Sequence, residues 1–111
     1  MAYDVITPVN IAQAELTASL TTVRTTPNGT RDLVKQIDIS NGNSVAAQVT
    51  VHLVPDGGAP SAANKLFPAV RIPSGTLVSW NGIHVLDGGG TIQASATVSD
   101  VTIQISGGNA V

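Results

Sequence analysis

Apolar and polar residues alternate along most of this chain with a period of two, and that alternation limits what the chain can build. In Val45-Ala-Ala-Gln-Val-Thr-Val-His-Leu-Val54, one set (Val45, Ala47, Val49, Val51, Leu53) points one way and the other (Ala46, Gln48, Thr50, His52, Val54) points the opposite way. Successive side chains of a β-strand leave opposite faces, so this is the pattern of a half-buried strand. Leu33, Lys35, Ile37 and Ile39 repeat it against Val34, Gln36, Asp38 and Ser40. Lys35 is the misfit in the apolar set, acceptable near a strand end where its stem packs and its amine reaches water. Runs at 91–98 and 101–106 alternate as well, with Ile92, Ala94, Ala96 and Val98 on one face of the first and Val101, Ile103 and Ile105 on one face of the second.

Turn residues punctuate these runs. Pro27-Asn-Gly-Thr30, Asn41-Gly-Asn-Ser44, Asn81-Gly82, Asp87-Gly-Gly-Gly90 and Ser99-Asp100 recur at short intervals, and Asn-Gly pairs accept the positive φ of tight hairpins. Hairpins are therefore predicted at 27–30 and 41–44. No helical period competes, apart from a short turn at Ser61 to Leu66. The spacing predicts an all-β fold, an antiparallel β-sandwich of jelly-roll or immunoglobulin-like type with about eight strands. The long segment Pro55–Gly75, stiffened by Pro60, Pro68 and Pro73, is expected to cross from one sheet to the other, with Leu66, Phe67 and Val70 plugging the end of the sandwich.

The 111 residues fit one domain. Residues 1–15 differ from the rest: Tyr3, Val5, Ile6, Val9 and Ile11 are apolar, Pro8 interrupts, and no turn pairs them with a neighbour. They are expected to form either an edge strand of the same domain or an extended N-terminal arm that adds itself to a neighbouring subunit by strand pairing. Residues 16–106 form the sandwich and 107–111 a flexible tail.

Composition excludes several functions. Charged residues are 11% of the chain, net charge is −2, and the five basic residues are scattered at 24, 31, 35, 65 and 71, so no stripe exists to neutralise phosphates and nucleic acid is not an expected partner. There is no cysteine, so folding owes nothing to disulfides. The N-terminus lacks a basic start with a continuous apolar core, and no run is long enough for a spanning helix, so a soluble chain without membrane contact is expected.

Reactive constellations are equally scarce. His52 and His84 have no Cys, Asp or Glu at metal-ligand spacing, and each reads as a solvent-facing or hydrogen-bonded strand residue. Ser74 and Ser106 are turn serines outside any nucleophile elbow. Asp87-Gly-Gly-Gly lacks the Lys-Ser/Thr and helix of a phosphate loop. Three aromatics, Tyr3, Phe67 and Trp80, offer little platform for sugars, which disfavours a free carbohydrate-binding module. Trp80, beside Asn81-Gly82, serves either as core filler or as an interface anchor. No enzyme activity and no cofactor are expected.

Around the block Gly29 to Ser106, the order Thr-Pro-Asn-Gly-Thr (from Thr26), Leu-Val-Lys-Gln-Ile, Asn-Gly-Asn-Ser, Val-Thr-Val-His-Leu-Val-Pro-Asp-Gly-Gly, Ala-Asn-Lys-Leu-Phe, Ile-Pro-Ser-Gly-Thr, Gly-Gly-Gly-Thr-Ile-Gln-Ala and Val-Thr-Ile-Gln-Ile-Ser-Gly (to Gly107) resembles the small β-sandwich virion proteins of tailed bacteriophages. The resemblance implies a structural virion protein made in the host cytoplasm. It implies a capsid decoration (cement) protein on the outside of the head, with the major capsid protein and its own copies as partners, commonly in trimers. A tail, neck or host-attachment component is the alternative it leaves open. Capsid or subunit contact is then expected at Tyr3, Val5, Ile6, Val9, Phe67, Arg71 and Trp80.

Overall fold

A computed structural model describes residues 6–111, so Tyr3 and Val5 lie outside the described residues. The described residues form eight strands: β1 (Ile6–Glu15), β2 (Thr21–Thr25), β3 (Arg31–Asn41), β4 (Ala47–Val54), β5 (Lys65–Ile72), β6 (Leu77–Asp87), β7 (Thr91–Ala96) and β8 (Val101–Ala110). They build two antiparallel sheets, β1-β8-β3-β6 and β2-β7-β4-β5. The antiparallel pairs β1/β8, β2/β7, β3/β6 and β4/β5 are nested, as if the whole chain were one long hairpin whose tip lies between β4 and β5. Rolling that hairpin up adds the β3/β8 and β4/β7 pairings. The order is that of an eight-stranded jelly roll, which decides between the two sandwich types expected from the sequence.

This topology corrects the local reading of the turns. β2 and β3 lie in different sheets, as do β3 and β4, so the segments at 27–30 and 41–44 are crossings between sheets and not hairpins. The long 55–64 connection is the hairpin, and the crossing expected of it is made by the short 73–76 segment. The sequence conceals β5 because Pro68 interrupts it. An edge strand tolerates proline on its open side, and here Pro68 and Ala69 together face Thr50 in a bulge, with Ala69 at φ 51°. Within the tip, the expected short turn is a 3-10 turn at Ala62–Asn64.

The crossing at 41–44 depends on side-chain bonding rather than on positive φ. Asn41, 2% exposed, donates its amide nitrogen to the carbonyls of Val45 (2.9 Å) and Ile72 (3.0 Å) and accepts from the backbone N–H of Asn43 (2.9 Å). Asn81-Gly82 is not a turn either; it lies inside the continuous β6.

A row of bulges crosses the first sheet at one level. Ile11 is the extra residue of β1 against β8, Lys35 the extra residue of β3 against β8, and Gly82 with Ile83 opposes Lys35 across β3/β6. The bulge resolves the misfit at Lys35, because alternation slips by one there. Asp32, Val34, Ile37, Ile39 and Asn41 are buried, whereas Leu33 is only half-buried and Lys35 is exposed. Residues 107–110, expected as a flexible tail, are the end of β8, where Ala110 is 2% exposed and Thr7 pairs with Asn109.

The core between the sheets is aliphatic: Ile37, Ile39, Val49, Val51, Ile72, Ile92, Ile103 and Ile105 are fully buried, with Phe67 at 5% exposure. Among the described residues, every buried side-chain N or O atom has a hydrogen-bond partner.

Candidate functional site

The register defines the outer face of the first sheet row by row. Ile6, Ala110, Arg31 and Asp87 form one row, and Pro8, Gly108, Leu33 and Val85 the next. Past the bulge come Asn10, Ser106, Gln36 and Asn81, and then Gln13, Gln104, Asp38 and Ser79. The face is thus divided. Its polar half is held by the Asp38 carboxylate, which accepts from Ser79 Oγ at 2.6 Å and from Gln36 Nε2 at 3.0 Å. Its other half is apolar, with Ile6 (56% exposed), Ile83 (66%) and Val85 (52%) around half-buried Leu33. The Arg31–Asp87 ion pair, at 2.7 Å, borders that half.

β6 and β5 lie on the same margin of the sandwich, opposite β1 and β2. Between them a cleft of about 350 Å³ opens, with Leu53, Leu66 and Leu86 as apolar walls and Lys65 and His84 at its polar lining. His84 stacks on Trp80, with ring centroids 5.0 Å apart and planes 19° from parallel. His52 is 6% exposed, and its Nδ1 lies 2.7 Å from Asn64 Oδ1. That oxygen also accepts the Ser61 N–H, while Asn64 Nδ2 donates to the carbonyl of Ala59. A carboxamide oxygen cannot donate, so the histidine carries its proton on Nδ1 and pins the 55–64 connection over β4. Among the described residues no group of three His, Cys, Asp or Glu is placed to hold a metal ion, and no helix is long and apolar enough to cross a membrane.

Among the described residues, the ionisable pair whose two members are both shifted from their ordinary values joins the two sheets. Arg24 of β2 forks onto Asp32 of β3, Nε to Oδ2 at 2.8 Å and Nη2 to Oδ1 at 2.9 Å. Thr26 Oγ1 (2.7 Å) and Asn109 Nδ2 (2.9 Å) donate to the same carboxylate. Burial pushes the Asp32 carboxyl up, but the hydrogen bonds from Arg24, Asn109 and Thr26 and the charge of Arg24 outweigh it and hold the group below its ordinary value. The bond to Asp32 likewise raises Arg24. Asp32 is fully buried and every donor to it is a neighbouring strand or turn residue, so the cluster acts as a clasp between sheets.

The residues expected to make contacts are not gathered in one place. Ile6 and Val9 belong to β1, Ile6 exposed over Gly108 and Val9 half-buried against the core. Phe67 is part of the core, Arg71 is exposed on β5 opposite Gln48, and Trp80 packs its half-buried ring against the core from β6. Leu77, Ile83 and Val85, the exposed apolar residues of β6, were not singled out by the sequence reading. The signal for Ile83 and Val85 is the segment Ile83-His-Val-Leu86, in which the two residues of one face are both apolar and Leu86 on the other face is too, although only Leu86 is buried.

No protein-family model matches the chain. No curated protein sequence matches it. Among solved structures it is similar to a chain in the "Structure of infectious bursal disease virus Gx strain", with a TM-score of 0.43 and 10% identity over 95% of this chain; it spans 32% of that chain's length.

Proposed function

We propose that this chain is a structural virion protein that acts through the surfaces it presents, and more specifically a capsid decoration protein on the outside of a tailed-phage head. The observation that carries the reading is the divided outer face of the first sheet. There Ile6, Ile83 and Val85 are more than half exposed on a sheet of four hydrogen-bonded strands. Apolar side chains gathered on one side of a sheet and rimmed by polar groups suit contact with another protein. The jelly roll is shared with viral capsid domains, as also with lectins and cupins, so the fold supports the reading only by analogy. The resemblance to phage virion proteins favours the first of these.

In this reading the apolar half of the face seats on the major capsid protein. Each contact is modest, and the shell gains from having many of them in parallel. The test is copy number in purified particles that carry the chain, by quantitative gel or particle imaging. Hundreds of copies over the head support decoration, and the same images report whether the copies are grouped in threes. About a dozen or fewer at one vertex would replace it with the tail, neck or host-attachment role, and absence from the particle would overturn the virion reading altogether.

A further inference from the structure

Among the described residues the sandwich has four edge strands, β1, β6, β2 and β5, and an unpaired edge invites another chain to add a strand. Three are blunted. β1 carries Pro8 and the Ile11 bulge. β5 carries Pro68, the bulge at Ala69, and Lys65 and Arg71. β2 is five residues long with a shift in register. β6 has none of these protections apart from its bulge: it runs eleven residues without proline, lysine or arginine. Three of the seven large apolar residues exposed on the described surface, Leu77 (59%), Ile83 (66%) and Val85 (52%), lie on it.

We propose that β6 is a self-pairing edge, which joins two copies of this chain antiparallel about a twofold axis so that their first sheets become one continuous eight-stranded sheet. A second copy is favoured by the distribution of charge. The only charged residue of β6 is Asp87, at its end and already paired with Arg31 at 2.7 Å. Antiparallel pairing sends the two Asp87 carboxylates to opposite ends of the seam, whereas parallel pairing in register would set them side by side. It also brings the Ile83 and Val85 side chains of both copies onto one outer face, merging two apolar half-faces into one. A twofold contact of this kind closes at two chains and does not propagate into fibres.

The seam is small. One added strand pair falls below the roughly 1,200 Å² at which specific complexes become stable, so pairing in dilute solution is weak and gains strength when many copies are held on one surface. The inference deepens the structural reading above, on which its biological use rests, but the pairing itself is tested on the purified protein without any particle.

The experiment is sedimentation equilibrium of the full chain from about 10 µM to about 1 mM, the range in which weak association is read, together with amide exchange at both limits. Wild type is expected to associate more as concentration rises, with exchange slowing in residues 77–87. Ile83→Lys is expected to weaken association at least about tenfold by placing like charges across the seam. Val45→Lys, at an exposed apolar site off β6 (52%, against 66% for Ile83), is expected to leave it unchanged. Circular dichroism and melting of each variant establish that it is folded. A wild type with no concentration dependence, protection appearing at β1 or β5 instead, or equal loss in Val45→Lys would overturn the proposal. Such a result would leave the particle copy number untouched, so the two readings fail separately.

Discussion

Arg24 and Asp32 sit on strands of different sheets, and their two-pronged contact, at 2.8 and 2.9 Å, is a polar link across a sandwich otherwise held together mainly by aliphatic packing. The Asp32 side chain is fully buried while Arg24 keeps 23% of its side chain exposed. Such an arrangement contributes little over an apolar pair of the same shape but is costly to break on one side.

Two consequences can be measured. Asp32→Asn leaves the guanidinium without its counter-charge and is expected to destabilise the fold by about 3 kcal/mol. The carboxyl is held below its ordinary value of about 3.9 by its donors, against the opposing effect of burial. Its stabilisation is therefore fully present above that ordinary value and is lost as pH falls through the lower value of the folded state. Urea unfolding followed downward from about pH 5 is expected to show a stability difference between wild type and Asp32→Asn that shrinks in acid. A difference that stays constant or widens on acidification contradicts the clasp.

Asn41 carries the β3–β4 crossing. Its carboxamide is 2% exposed and bonds to Val45, Ile72 and Asn43, so Asn41→Ala strands two carbonyls and one N–H together. A loss of about 2–3 kcal/mol is expected in chemical denaturation. Asn41→Asp should do worse at neutral pH, because it turns an acceptor toward two carbonyl oxygens. If Asn41→Ala costs under about 0.5 kcal/mol, the value of an ordinary surface change, the side chain is not what holds the crossing.

The strands were legible because alternation is local, and their wiring was not because it is global. Asn28-Gly29 and Asn41-Gly42 have the chemistry of hairpin turns, yet each joins strands in opposite sheets. A tight turn fixes a reversal of direction but not which partner the next strand finds, and in the nested hairpin the partners of β2 and β3 are β7 and β6. Lys35 did carry information: a cation in an apolar set marks the bulge at which the alternation slips. β5 stayed hidden behind Pro68, since proline argues against a strand unless the strand is known to be an edge. Phe67 and Trp80 were visible as anchors of some kind. That Phe67 belongs to the core and Ile83 to the surface follows from how the sheets fold over one another, which no periodicity within either segment encodes.

Ala69 sits at φ 51°, in the left-handed region, at an exposed position on an edge strand. The Cβ of an L-residue costs roughly 1–2 kcal/mol there, and glycine escapes that cost while adding freedom to the unfolded chain. Ala69→Gly is accordingly expected to stabilise the protein by about 0.5–1 kcal/mol, read as a higher denaturation midpoint at unchanged slope. A destabilised variant would mean that the bulge depends on the alanine methyl.

Gly107 tests the row of bulges. It lies in β8 between β1 and β3, paired with Val9 on one side and Val34 on the other, and a Cβ built on it would run into the backbone carbonyl of Leu33, with Ile11 Cδ1 also close at 3.1 Å. The obstruction is backbone within a sheet, which cannot swing aside as a side-chain tip could. Gly107→Ala must therefore either push β8 away from β3 or shift the bulge, and a shift by one residue would turn Gly108–Ala110 to the opposite face. A destabilisation of about 2–3 kcal/mol is expected, at the upper end for overpacking by one methyl, while Ser106→Ala next to it, exposed on the outer face, should stay within about 0.5 kcal/mol. Equal midpoints for the two variants in guanidinium denaturation would show that the sheet has room at this level, and that the bulges at Ile11 and Lys35 do not depend on a bare backbone between them.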